Sequence, residues 1–481
     1  MKREYDCVIV GGGPAGMAAA IALKKLGVDG ILLLDRNPRL GGILNQCIHP
    51  GFGLLRYKKD MTGPEYARAL EAEFTAAGIE SAPGAMVLGI SRDKVLRVIS
   101  PESGYAEISA RAIIVATGCR ERTRENLEIA GTRPAGVFTA GQAQNLINLR
   151  GFRLGERVVI QGSGDIGLIM ARRLTIEGCK VEAVLERLPY LSGLVRNKVQ
   201  CLDHFGIPLR FNAQISRIDG SRRVEGVAVQ ALDDSQRPVA GGEDYIPCDT
   251  VLFSVGLIPE VDILKEAGIL PASGAGVAVN SHFEARAATA AAGAAAAASS
   301  GIFVCGNALH IHDLADNAAA EGEKVASHVA LYLSSRADPA ASAEYAASAV
   351  TTANARDLRP YQPIAPNTAF DRAFFRDLEA SGSIVCIGCP RGCMVSAKGA
   401  TCPRGEAYYA ESLRGRFQPL TTTLRVVEAG KRQSLPLHSL APVEVGDIRA
   451  VRNALSQSAP PAGDRLAVEA LGKDIAFSVC R

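Results

Sequence analysis

The 481-residue chain has no run of about 18 strongly apolar residues, which excludes a transmembrane helix of ordinary length. Its closest approach, "AAGAAAAASSGIFVCGNA", is mostly Ala, Gly and Ser, which bring little transfer energy. A surplus of charge is also absent: 53 basic against 50 acidic residues leave a net +3, which speaks against nucleic acid or an anionic membrane as partner. "MKREYDCVIVGGGPAG" enters an apolar strand at once and lacks the long apolar core and cleavage site of a secretory signal. With no such signal, the 12 cysteines point to a reducing, cytoplasmic setting and to thiols used for ligation or redox work. What is present is a composition 47% hydrophobic and 21% charged, that of a soluble globular chain long enough for roughly two to four domains.

Tyr5–Val10 reads as a buried strand followed directly by "GGGPAG", in which Gly11, Gly13 and Gly16 keep the G-x-G-x-x-G spacing. Pro14 and Ala15 sit inside that turn, and "MAAAIALKKLG" then reads as a helix. Glycines here allow a tight turn, close approach of the backbone to a pyrophosphate, and packing of helix on strand. The helix N-terminus offers N–H donors and a favourable dipole. The next strand, "GILLLD", ends in Asp35, placed to accept hydrogen bonds from ribose hydroxyls, with Arg36 beside it. A second copy lies at "RVVIQGSGDIGLIMARRLTIEGCKVEAVLE". Gly162, Gly164 and Gly167 carry the pattern around Asp165 and Ile166, and Glu186 ends the following strand. A carboxylate there favours NAD over NADP, whose 2′-phosphate it would repel. Arg187 follows directly and offsets part of that preference.

Between the copies, "ARAIIVATGCRER" is a strand ending in Thr117 and Gly118. Later, "SGIFVCGNALHIHDLADNAAAEGEKVASHVA" is a strand, a glycine turn and a long helix. With these four motifs in order, residues 1–335 resemble the two-dinucleotide-binding-domain flavoproteins related to the pyridine nucleotide–disulfide oxidoreductases. The resemblance implies an α/β fold with two Rossmann-like three-layer domains of the glutathione-reductase type. It further implies that the first fingerprint, with Gly42, Thr117 and Gly118, binds FAD, and that the second binds NAD(H) or NADP(H). Gly306 and Asn307 would contact the flavin ribityl chain; the family has aspartate where this chain has Asn307, which offers an acceptor oxygen but no charge. Asp313, a little further on, is a candidate for the missing carboxylate.

The disulfide reductases of this superfamily carry a redox cysteine pair after the second FAD-domain strand or in the NAD domain. Here "ILNQCIHPGFGLLRY" has Cys47 alone, and Cys179 and Cys201 are far apart, so dithiol exchange lacks its second sulfur. The resemblance would place Cys47 and His49 near the flavin ring. Cys47 reads either as a packing residue or as a single redox thiol cycling through a sulfenic acid. His49 reads as a proton donor or as a loop residue bonded to backbone. His310 and His312 flank Ile311; a metal site would need further convergent ligands, and without them the pair reads as structural or flavin-edge residues.

Phe283–Gly301 is Ala-rich low complexity, expected as a surface loop. Residues 336–380 read as a linker, leaving 381–481 as a small C-terminal cysteine-rich α+β or β module. The full division expected is 1–118 and 261–335 for the FAD-binding domain and 119–260 for the NAD(P)-binding domain. In the C-terminal module Cys386, Cys389, Cys393 and Cys402 are spaced C-x2-C-x3-C-x8-C. Four thiolates suit a [4Fe–4S] cluster or zinc; three close cysteines and a distant fourth favour the cluster, while free redox thiols remain a third reading. "CIGCPRGCMVSAKGATCPRGEAYYAESLRGRFQPLTTTLRV" resembles a small bacterial protein of uncharacterised family associated with glycerol-3-phosphate-dehydrogenase-type flavoproteins. It is also similar to the cluster-binding start of molybdopterin oxidoreductases, with a shorter last spacing. Together the expectation is an FAD-dependent NAD(P)H oxidoreductase relaying electrons to a partner dehydrogenase or electron-transfer subunit. A single-cysteine NADH oxidase or peroxidase, and a non-catalytic flavin-bound assembly or redox-sensing subunit with a zinc module, are the alternatives. An oligomer is compatible with all of these.

Overall fold

The computed structural model describes residues 2–271, 276–286, 300–336, 345, 372–381, 384–386, 393–396, 400, 402–428, 431–461 and 464–479. The expected surface loop at Phe283–Gly301 and the expected linker therefore lie largely outside the described residues. The helices used below are, in chain order, α1 (Pro14–Lys25), α2 (Gly63–Ala76), α3 (Ala140–Asn148), α4 (Asp165–Ile176) and α5 (Val195–Cys201). They continue with α6 (Ala315–Ser335), α7 (Arg372–Ala380), α8 (Pro403–Ser412) and α9 (Ile448–Ser456). Among the described residues no helix is long and apolar enough to cross a membrane.

Two compact units divide the chain. The first is Met1–Asn45, Phe52–Arg120 and Leu257–Gln362. Its seven-stranded sheet runs Glu80–Pro83, Ile31–Asp35, Glu4–Val10, Gly104–Val115, Val95–Ser100, Met86–Ile90. Ile302–Val304 lies parallel to the end of Gly104–Val115. The central strands are parallel, with Val10 level with Leu34 and Val115 in register, and Val115 level with Val304. Their carboxyl ends therefore open along one edge, where ligands of open α/β sheets bind. Near-continuous runs such as "ILLLD" suit strands covered on both faces, and all five of these residues are buried. On one face α1 packs on α6: a Cβ at Gly322 would lie 2.2 Å from the Ala15 carbonyl oxygen, so only glycine lets these backbones meet. α2 starts on a full capping box between Thr62 and Glu65.

The second unit is Gln46–Gly51, Glu121–Gly256 and Pro363–Arg481. Its five-stranded parallel sheet runs Val137–Thr139, Thr250–Phe253, Arg157–Gln161, Lys180–Glu186, Leu209–Phe211. A four-stranded sheet follows from Ala130–Gly131, Ala213–Gly220, Val224–Leu232 and Pro238–Pro247. The C-terminal residues add an antiparallel four-stranded sheet, Thr421–Glu428, Lys431–Ser439, Lys473–Val479 and Arg465–Ala470, covered by α9. This module shares apolar cores with the parallel fold. Ile176 of α4 sits with Leu420, Leu437, Val451 and Phe477, while Phe375 of α7 and Val385 join the core around Ile160 and Leu168.

Candidate functional site

In the first unit the Glu4–Val10 strand turns at Gly11, whose φ of +112° and position 2.3 Å (as a Cβ) from the Ala116 carbonyl oxygen admit glycine alone. Gly16 is closer still, since a Cβ there would meet the Gly11 carbonyl oxygen at 1.9 Å. Gly13 is different: a Cβ on it would touch nothing within 4 Å. Gly13 is the N-cap of α1, which has Pro14 in its first turn, no side-chain cap and no acidic residue there. Open space in front of uncapped N–H donors is what a pyrophosphate requires, so these residues fit the phosphates of a dinucleotide. Gly42 adds to the same cradle, with a would-be Cβ 3.2 Å from the Gly13 Cα. Asp35 is buried; its carboxylate accepts the Gly12 N–H at 2.7 Å and both the backbone N–H (2.7 Å) and side-chain amide (3.0 Å) of Asn37. Arg36 beside it is exposed. The Thr117 hydroxyl donates to the Glu260 carbonyl, and Gly118 turns with φ +76°.

At Gly306 the chain turns with φ +62°, and its N–H donates to Glu321 Oε2 at 2.6 Å. The Asn307 side-chain oxygen, expected to face a hydroxyl, accepts the His312 N–H at 2.9 Å. The carboxylate brought to this turn is therefore Glu321 from α6, not Asp313, which is exposed. In the sequence Glu321 is one acid within a helical "AAAEGEKVA", with nothing to mark it; its neighbour Gly322, needed for the α1 contact, is the available signal.

The second unit repeats the construction. Gly162, with φ +102°, would place a Cβ 2.0 Å from the Ser254 carbonyl oxygen, and Gly167 would place one 2.5 Å from the Gly162 carbonyl oxygen. Gly164, the N-cap of α4, again looks into open space, its would-be Cβ no closer than 3.7 Å to any atom. Glu186 is buried; it accepts the Ser163 N–H at 2.9 Å, the Ser163 and Ser192 hydroxyls (the latter at 2.8 Å), and the Leu188 N–H at 3.0 Å. Asp165 accepts the Leu194 N–H at 2.8 Å and the Asn197 amide at 2.7 Å, which ties the start of α5 to the start of α4. Ile166 is partly buried against the core. Arg187 is exposed.

Cys47 and His49 both belong to the second unit, in the Gln46–Gly51 segment. The Cys47 thiol is buried 3.5 Å from Gln144 Oε1 on α3, and burial pushes its pKa up to about 12. Such a group stays a thiol near neutral pH and is a poor nucleophile. Burial pulls His49 down to about 4, and the Arg196 and Arg172 charges act in the same direction. Its Nδ1 lies 3.0 Å from the Pro50 carbonyl oxygen. A cavity of about 10 Å³, room for roughly one water, is lined by His49, Gln144, Asn148, Arg172, Arg173 and Thr421 among others.

Arg172 and Arg173 pass in the sequence for the polar face of a surface helix; both are buried. Arg172 donates to Gln418 Oε1 at 3.0 Å and the Pro419 carbonyl at 2.8 Å, and Arg173 to Asn148 at 2.8 Å and Thr423 at 2.9 Å. Glu177 accepts from Arg173 and from Arg452, each at 2.6 Å. Burial alone would raise its pKa, but the Arg173 and Arg452 charges win and hold it at about 2. In the cysteine head, Cys386 is buried, its N–H bonded to the Cys393 carbonyl at 2.8 Å across a short hairpin. Cys402 is the N-cap of α8, and both it and Cys393 are half-buried. Cys389 lies outside the described residues.

Two units, each with parallel central strands, a glycine turn, an open helix N-terminus and a strand-ending acid, have the architecture of a paired dinucleotide-binding α/β protein. The family model for pyridine nucleotide-disulphide oxidoreductases matches residues 5–322, and the chain belongs to that family. It is 30% identical over 285 residues to one of the subunits of opine oxidase from Rhizobium meliloti, covering 56% of this chain and 53% of that one. It is 29% identical over 277 residues to the ferredoxin–NAD(+) reductase component of the biphenyl dioxygenase system of Paraburkholderia xenovorans, covering 55% and 61%. The chain thus spans about half to three-fifths of the length of these curated relatives. Thioredoxin reductase of T. acidophilum superposes with a TM-score of 0.54 at 23% identity, covering 68% of this chain and 98% of that structure, a likeness of fold. Membership of that family makes the chain one of the FAD- and pyridine-nucleotide-dependent oxidoreductases.

Proposed function

We propose that the chain is an FAD-dependent NAD(P)H oxidoreductase that relays electrons between a pyridine nucleotide and a partner dehydrogenase or electron-transfer subunit. Its exit would be a [4Fe–4S] cluster on Cys386, Cys389, Cys393 and Cys402. The observation that carries this reading is the combination of two complete dinucleotide cradles with a lone, buried Cys47 where a redox pair would stand. Without a dithiol, electrons delivered by the nicotinamide need another way out. A bound flavin exchanges electrons in pairs with nicotinamide and singly with a metal centre. The chain's own share is positional: Gly13 and the start of α1 hold one pyrophosphate, Gly164 and the start of α4 the other. Asp35 and Glu186, each already oriented by a backbone N–H, hold the riboses. Glu186 favours NAD.

The opine oxidase relative and the ferredoxin reductase relative, each one component of a larger system, support a relay to a partner. A Cys47-based oxidase or peroxidase is the weaker reading, since a thiol held at about 12 supplies little thiolate. The test is anaerobic purification of the full chain with metal, sulfide and flavin analysis, followed by NADH addition. Expected are about four iron and four sulfide per chain, flavin bands bleached by NADH, and reduction of a one-electron acceptor. Stoichiometric zinc without iron would overturn the cluster, and a flavin unbleached by NADH would overturn the oxidoreductase reading.

A further inference from the structure

Sequence alone offers His310 and His312 without a convergent third ligand; α6 supplies one. His310 Nδ1 lies 3.5 Å from Glu321 Oε1, and His312 Nε2 lies 3.2 Å from Glu321 Oε2. The donor atoms of all three residues fall within 4.8 Å of one another, the one such His/Cys/Asp/Glu group of three or more among the described residues. The two imidazole rings are 4.2 Å apart between centroids. A first-row divalent ion bound at about 2.0–2.2 Å needs donors roughly 3–3.5 Å apart. The two nitrogen-to-carboxylate separations, each to a different oxygen of Glu321, fall in that range. Outer contacts fix two of the ligands: the Gly306 N–H holds Glu321 Oε2 at 2.6 Å, and Asn307 Oδ1 holds the His312 backbone N–H at 2.9 Å. The side chains of His312 and Glu321 are 8% and 10% exposed and that of His310 is 20% exposed, so the group is sheltered with one side toward solvent.

We infer that His310, His312 and Glu321 form a site for a divalent transition-metal ion, distinct from the C-terminal cysteines. Two imidazole nitrogens and a carboxylate suit zinc or ferrous iron and do not suit magnesium or calcium, which take oxygen ligands. Three protein ligands leave a coordination position open, the arrangement of a working metal site and not of a closed structural one. The competing arrangement is a carboxylate hydrogen-bonded between two imidazoles with no ion.

The experiment is zinc titration of the full chain, stripped by chelation, against a chromophoric competitor. It is run on the wild type, His310→Ala, His312→Ala, Glu321→Gln, and the chain with all four C-terminal cysteines changed to serine. Each loop or helix substitution is expected to remove one zinc equivalent or weaken it at least about tenfold, and the four-serine chain is expected to keep that equivalent. Glu321→Gln retains size and an acceptor for the Gly306 N–H, so its circular dichroism should match the wild type. A four-serine chain that binds no zinc, or an equivalent unmoved by Glu321→Gln, overturns the inference. Should a variant fail to fold, zinc-edge X-ray absorption on the unmodified, zinc-saturated chain decides. A nitrogen- and oxygen-ligated zinc supports the site, and sulfur-only coordination overturns it.

Discussion

Gly11 and Gly162 carry the same burden in the two units: positive φ, and a carbonyl oxygen 2.0–2.3 Å from where a Cβ would sit. Gly11→Ala must push the Ala116 carbonyl aside, and such a rearrangement costs several kcal/mol at a buried turn. The expected result is at least about a tenfold fall in flavin content of the purified chain, read from its visible spectrum. Gly162→Ala should leave the flavin in place and weaken NADH-dependent bleaching by a similar factor. Equal flavin loss in both variants would sink the assignment of one nucleotide to each unit. Cys47→Ser should alter NADH-dependent flavin bleaching by less than about twofold, because a buried thiol held at about 12 does no proton or redox work near neutral pH; a tenfold loss would restore the single-thiol mechanism. At this scale the fingerprints were legible because every constraint on them is local to one turn. Glu321 was not, because its meaning comes from Gly306, fifteen residues away, and from a helix packing that only the fold supplies.

Element by element, α4 does two jobs from its two ends. Its N-terminus presents Gly164 and open N–H groups, while Arg172 and Arg173, with Glu177 just beyond its end, hold the C-terminal module at Gln418, Pro419, Thr423 and Arg452. The first job was readable from a motif. The second was hidden, since "ARRLTIEG" looks like any solvated helix face until another element covers it. Glu177→Gln leaves Arg173 and Arg452 facing each other in a buried site, and removing one partner of a buried pair costs about 3–5 kcal/mol. Glu177 is held at about 2 against an ordinary 4.5, so its contribution is complete above about 4.5 and drains away as pH falls toward 2. Urea unfolding of wild type and variant should therefore differ most near neutrality and draw together as the pH falls from about 4.5 toward 2. A difference that stays constant with pH would show that the carboxylate's charge is not what stabilises this junction.

For the molecule as a whole, the sequence reads as two nucleotide folds, a linker and a cysteine-rich module. The parallel-sheet folds came through because α/β folds advertise themselves as strand, glycine turn, helix. The module's attachment did not, because shared cores are built from residues that look ordinary on both sides. Ile176 of the second nucleotide fold is buried with Leu420, Val451 and Phe477, and Phe375 with Leu168 and Ile160. Two alterations of the C-terminal part should then behave in opposite ways. Ending the chain after residue 380 strips the apolar cover from Ile176 and leaves Arg172, Arg173 and Glu177 without their far partners. That chain is expected to lose the cooperative unfolding of the second unit and to aggregate, visible as a shift to large species on gel filtration. Changing Cys386, Cys389, Cys393 and Cys402 to serine removes sulfur ligands while keeping the sheet and α9 core intact. That chain should unfold within about 1 kcal/mol of the wild type in urea and still let NADH bleach the flavin. It should also fail to reduce a one-electron acceptor. A truncated chain that folds and transfers electrons normally would show that the C-terminal part is a passenger. A four-serine chain with undiminished electron transfer would place the exit elsewhere in the protein.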